Sequence, residues 1–273
     1  MSYNIRPSLF AVLALTWIVT ATRANRAQSQ SPAKSAASPV QSDAEAELSR
    51  VIASILSDTS SHMRMGPTRT ATAADSARAA TVVAAARAAL GQYVDVKVAE
   101  RDGYFRNMPW LEEQPIYHYN SVQNSDAAKR GEFDPSKPVS LLYKKNDRGQ
   151  LTLVGAMYGT STSAAPDSLD AVLPISMAHW HQHVNLCYPG PTASRHWSGK
   201  VDAGFVFFMK LLLSITSAVE CEAAGGRFVA SDAGWMAHVY MFAGSNDPKA
   251  IWDADDVGSS MGTQMTHPPA NLP

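Results

Sequence analysis

The segment Ser176 to Cys187 reads SMAHWHQHVNLC, with three histidines two residues apart. On a β-strand, residues i, i+2 and i+4 share one face, so His179, His181 and His183 would align there, with Trp180, Gln182 and Val184 opposite. Three imidazoles on one face are costly as plain core. A His-x-His strand completed by a third His is a common three-nitrogen metal site, because neutral imidazole binds Zn, Cu, Ni and Fe and the strand fixes the ring spacing. The competing reading is a solvated row of polar residues that happen to be His. Two further histidines sit in apolar alternation, His118 in Tyr117-His118-Tyr119-Asn120 and His238 in Trp235-Met236-Ala237-His238-Val239-Tyr240-Met241. Taken singly, each would be a satisfied core histidine. Three His-bearing strands in one sheet instead predict a shared site of His118, His181, His183 and His238, with His179 as a further inner member. Asn185 and Asn120 share faces with these histidines and are candidates to orient their rings.

The remaining histidines carry less. His196 lies in a loop-like Ser-Arg-His-Trp segment, and His267 precedes Pro268-Pro269. His62-Met63-Arg64-Met65 pairs imidazole with thioethers, a combination suited to copper, although most of the 11 methionines must serve packing. The chain contains no Gly-x-Ser-x-Gly elbow, phosphate loop, His-Glu-x-x-His helix or dinucleotide fingerprint. Glu112 and Glu113 read as solvated loop acids, and Asp134 before Pro135 as a turn former.

Positioning these residues falls to a chain of 273 residues with 23 Lys+Arg against 24 Asp+Glu and 45% hydrophobic residues. That balance excludes a basic nucleic-acid binder and a low-complexity chain, and leaves room for one sizeable core. At the N-terminus Arg6 precedes the 13-residue apolar run Leu9 to Ala21, and Thr22-Arg23-Ala24 has small residues where a signal peptidase reads. The run is shorter than the roughly 20 residues a spanning helix needs, so residues 1–24 are expected to be a signal peptide. Its removal leaves 21 basic against 24 acidic residues, a net charge of −3. Ala203 to Thr216 is also too short to span and contains Lys210, so stable membrane insertion is not expected. A secreted or periplasmic location makes the only two cysteines, Cys187 and Cys221, an expected disulfide.

Residues 25–41 are rich in Ser, Ala, Gln and Pro and are expected to be a disordered linker. Residues 42–74 form an N-terminal helical segment: the capping-box pattern Ser42 to Glu45 opens a helix over 43–57, with Leu48, Val51, Ile52 and Ile55 on its apolar face. A second helix covers the Ala-rich stretch 76–90 and can continue toward Ala99, with Asp102-Gly103 as its stop. Strands are predicted at 116–122, 139–145, 150–158, 176–186, 204–209 and 235–242, with a hairpin turn over 145–150 and a short helix over 217–224 capped by Gly225-Gly226. The fold class is therefore α+β: N-terminal helices followed by a mainly antiparallel sheet or barrel-like domain, 75–273, carrying the histidine cluster.

The motifs Tyr117-His118-Tyr119-Asn120, Trp180 to Cys187 (WHQHVNLC), Cys221 to Gly226 and Trp235 to Tyr240 (WMAHVY) resemble those of a group of secreted bacterial proteins with no established activity. The resemblance covers most of residues 75–255. The His-x-His strand is also similar to the zinc strand of α-type carbonic anhydrases and to the first cupin motif. The cupin Glu is missing and the flanking residues depart from the anhydrase pattern, so only a metal geometry is implied. Two readings follow: a secreted protein holding Zn or Cu for metal handling or a metal-dependent reaction, or a non-enzymatic module in which Trp110, Trp180, Trp197, Trp235 and Tyr117 line a small-molecule pocket. Nucleic acid is not an expected partner.

Overall fold

The computed structural model describes residues 39–252 except 57, 60, 110, 191–200 and 245–246. The predicted signal peptide, most of the linker, His196, His267, Trp110 and Trp197 lie outside the described residues. Helix α1, Pro39–Leu56, starts four residues earlier than its capping-box pattern suggests, at a proline, whose fixed φ suits a first helical turn. Strand β1, Met63–Met65, leads to α2, Ala73–Leu90, where Thr72 and Asp75 form a reciprocal capping box. A 3-10 turn, Gly91–Val94, and α3, Val96–Arg101, follow, and Gly103 ends the run at φ 89°.

Seven strands then assemble with the order β1-β6-β7-β5-β4-β3-β2, every neighbouring pair antiparallel. They are β2 Phe105–Arg106, β3 Tyr117–Asn120, β4 Ser140–Lys145, β5 Leu151–Thr160, β6 His181–Pro189 and β7 Gly226–Val239. The sheet is open, with β1 and β2 as its edges, rather than closed into a barrel. The predicted hairpin joins β4 to β5 through an Asn146 N–H to Gln150 carbonyl bond of 2.9 Å. Between strands lie α4, Val122–Lys129, α5, Pro166–Val172, α6, Ala203–Leu213, and α7, Ala218–Ala223, and α8, Pro248–Trp252, follows β7.

The predicted strand 204–209 is a correction: those residues are in α6. The run AGFVFFMKLLL is apolar on all sides, so periodicity does not separate strand from helix, and the Asp202 side chain accepting from the Phe205 N–H decides the start. Strand β6 begins at His181, not Ser176, because 174–180 form turns closed by Met177 and Ala178 N–H bonds to the Pro174 carbonyl.

One sheet face carries Tyr117, Tyr119, Leu141, Tyr143, Ala156, Tyr158, Trp235, Ala237 and Val239, and packs on α2 and α5 to form the main core. A second cluster joins α1 to α6 through Leu48, Ile52, Val206, Met209 and Leu213. Cys187 on β6 and Cys221 on α7 form the expected disulfide, with Cα atoms 5.6 Å apart. Gly226 sits against both sulfurs, where a Cβ would collide. Among the described residues no helix is long and apolar enough to cross a membrane.

Candidate metal centre

The sheet face opposite the main core carries the histidines. Residues directly opposite in antiparallel strands share a face, and the register pairs His118 with Leu142, Leu142 with Gly155, Met157 with His238 and Met236 with His181. In a flat sheet β3 and β7, separated by β4 and β5, would stand about 14 Å apart. Yet the Nε2 atoms of His118 and His238 are 3.4 Å apart. The sheet must curl over this face, and two imidazoles reach across it. Gly155 permits the curl, since a Cβ there would overlap the Val239 carbonyl oxygen of the adjoining strand.

Ring centres of His118 and His238 lie 5.5 Å apart, those of His181 and His238 5.2 Å, and those of His181 and His183 5.5 Å. Four imidazoles bound tetrahedrally through metal–nitrogen bonds of about 2.0–2.1 Å have ligating nitrogens about 3.4 Å apart and ring centres roughly 5.2 Å apart. Three neighbouring pairs of the cluster, His118–His238, His238–His181 and His181–His183, have about that spacing. Among the described residues no group of three or more His, Cys, Asp or Glu side chains is disposed to hold an ion as it stands. The backbone positions of the rings are set by the three strands β3, β6 and β7, whereas the imidazole χ2 torsion that aims each nitrogen is broad and soft.

One ring is held from behind by the backbone. The His181 Nδ1 donates to the His179 carbonyl at 3.1 Å, leaving Nε2 as the lone pair. The backbone at Ile116 and at Leu56 favours the protonated rings of His118 and His183, against the stronger effect of burial. The Nδ1 atoms of His183 and His238 are buried without a partner. A ring nitrogen fixed on a carbonyl while the other faces a common centre is how ligating histidines are oriented. Burial, and then the proximity of the other imidazoles, pushes His118, His181 and His183 down to about 4, and His238 well below its ordinary value. All four are neutral near pH 7, the form that binds metal.

His179 is brought near but not in: it is exposed, precedes β6, and contributes its carbonyl to His181. Asn185 does not orient a ring; at φ 55° its Nδ2 donates to the Ser61 carbonyl at 3.1 Å, tying β6 to the segment before β1. Asn120 lines a cavity of about 180 Å³ beside the cluster, with Met157, Gly159, Thr160 and Met236. Its Oδ1 is buried with no partner. Sequence reasoning missed β1, whose Met63 and Met65 stand opposite His183 and His181. Trp180, Trp235 and Tyr117 are buried in the main core on the other face, so they do not line a shared pocket with the histidines. Comparison with protein-family models, with characterised proteins and with solved structures finds no match for the chain.

Proposed function

We propose that this is an exported protein that holds one Zn or Cu ion through His118, His181, His183 and His238. The observation that carries the reading is the 3.4 Å approach of His118 Nε2 to His238 Nε2 within a row of four rings whose neighbours stand 5.2–5.5 Å apart. Four nitrogen ligands close the coordination sphere, which suits holding or handing over an ion, whereas a hydrolytic site keeps one position open. Export is supported by the N-terminal apolar run and by the disulfide, which persists in oxidising compartments. The aromatic-pocket alternative is disfavoured by the burial of Trp180 and Trp235 in the core and by the size of the neighbouring cavity, smaller than the roughly 300–1,000 Å³ of ordinary ligand sites.

The test is elemental analysis of residues 25–273, purified untagged and without chelator, then reloaded with Zn or Cu. One equivalent in the parent and its loss in a His181→Ala/His183→Ala variant is the expected result. Absence of both metals from the reloaded parent overturns the reading.

A further inference from the structure

We propose that the ion is cuprous copper and that the thioethers of Met63 and Met65, on the exposed edge strand β1, receive it and pass it to the histidines. This rests on the metal-holding reading above and names its ion.

The register supplies the first argument. Met63 is the direct cross-strand partner of His183, Met65 of His181, Met236 of His181 and Met157 of His238. Directly opposed residues have Cβ atoms about 4.5–5.5 Å apart on the same face, within reach of a flexible methionine. Each of His181, His183 and His238 thus has at least one sulfur beside it. Thioether and imidazole together select Cu(I), while Zn finds its sulfur ligands in thiolates. No thiolate is on offer, because both cysteines of the chain are joined in the disulfide.

Charge supplies the second. The partners of the four rings are one another and backbone carbonyls, all uncharged. Asp232, opposite His183 in the register, has its carboxylate taken by the Tyr188 hydroxyl at 2.9 Å. An ion held by neutral ligands keeps its whole charge, and the cost of burying charge rises as its square, so a monovalent ion is favoured over a divalent one.

Exposure supplies the third. Met65 is 45% exposed, Met63 is half-buried, His183 is half-buried, and His181 and His238 are 3% and 7% exposed. Soft donors therefore run from solvent at the sheet edge inward to the nitrogen cluster. Arg64, between the two methionines, alternates to the other face of β1 and leaves this row uncharged.

The experiment is an anaerobic competition in which the untagged protein takes Cu(I) from its bicinchoninate complex, beside a titration with Zn alone and X-ray absorption of the copper-loaded form. The parent is expected to prefer Cu(I) over Zn by roughly 100-fold or more, with the histidine nitrogens bound to copper in the loaded form. A Met63→Leu/Met65→Leu variant, conservative on an edge strand, is expected to lose roughly 10-fold or more in Cu(I) affinity and to keep Zn binding and its melting temperature. Zn bound as tightly as Cu(I) overturns this inference and leaves the metal-holding reading intact. Failure to bind either ion overturns both. Unchanged Cu(I) affinity in the leucine variant overturns the receiving role of β1.

Discussion

Four imidazoles kept neutral inside a fold make its stability depend on pH in a way that can be calculated. His118, His181 and His183 are pushed down to about 4 by burial and mutual proximity, against an ordinary value near 6.5. Below pH 6.5 the unfolded chain binds protons that the folded chain does not. Stability is therefore complete above about pH 6.5, falls as the pH drops, and reaches its floor near pH 4. Each histidine contributes a slope of about 1.4 kcal/mol per pH unit, so three give roughly 4 kcal/mol per unit, with His238 adding in the same direction. Against a typical stability of about 5–15 kcal/mol, the metal-free protein is expected to unfold cooperatively near pH 5, before most carboxylates titrate. The assay is far-UV circular dichroism and tryptophan fluorescence over pH 7 to 3, with calorimetry in two buffers to count protons. Uptake of about three or more protons on unfolding at pH 5.5 is expected. A His118→Gln/His238→Gln variant, which removes two of the titrating groups, should show a shallower decline. A native spectrum at pH 3.5, or the same decline in the variant, would refute the reasoning.

Removing the disulfide with Cys187→Ser/Cys221→Ser is expected to cost about 3–4 kcal/mol for a loop of this length, a drop of roughly 8–15 °C in Tm by calorimetry. Gly155→Ala must displace the Val239 backbone, at about 1–3 kcal/mol by denaturant titration. Because the displacement moves β7 away from β5, the same variant is expected to lose bound metal more steeply than it loses stability; unimpaired metal content would contradict the role assigned to the curl. Loss of the ion in His181→Ala/His183→Ala and weakened Cu(I) binding in Met63→Leu/Met65→Leu complete the set, read by elemental analysis and by competition.

Residue types carried the chemistry of this chain further than its architecture. Alternation in 117–120, 181–184 and 235–240 was enough to predict that His118, His181, His183 and His238 meet, because a sheet with period 2 presents such residues on one side. The disulfide followed from there being two cysteines in a chain expected to be exported. His179 lies outside the strand because the alternation was extended back to Ser176, into the turns that follow Pro174. Residues 204–209 were misread because an all-round apolar run suits a buried strand as well as a helix, and the Asp202 cap was the overlooked signal. Strand β1 is three residues long, too short for a period, and its value lies in its register with β6, which no local pattern encodes. The same is true of the curl at Gly155 and of the irregular pairing near Ala233 and Gly234, both at positive φ, which sets the register of His181 against Met236.

The four histidines come from three strands and span residues 118 to 238, so no fragment of the chain holds the site. The site consequently exists only in the folded protein, and any ion that binds it stabilises the fold by RT ln(1 + [L]/Kd). At 100 times Kd that is about 2.7 kcal/mol, comparable with what acidification by about 0.7 pH unit removes from three buried histidines. On the proposed reading, metal and protons act on the same four rings in opposite directions. An ion that withdraws the lone pairs from titration should move the acid transition down in pH as well as raise Tm. The two shifts should share one saturation curve, because one set of nitrogens produces both.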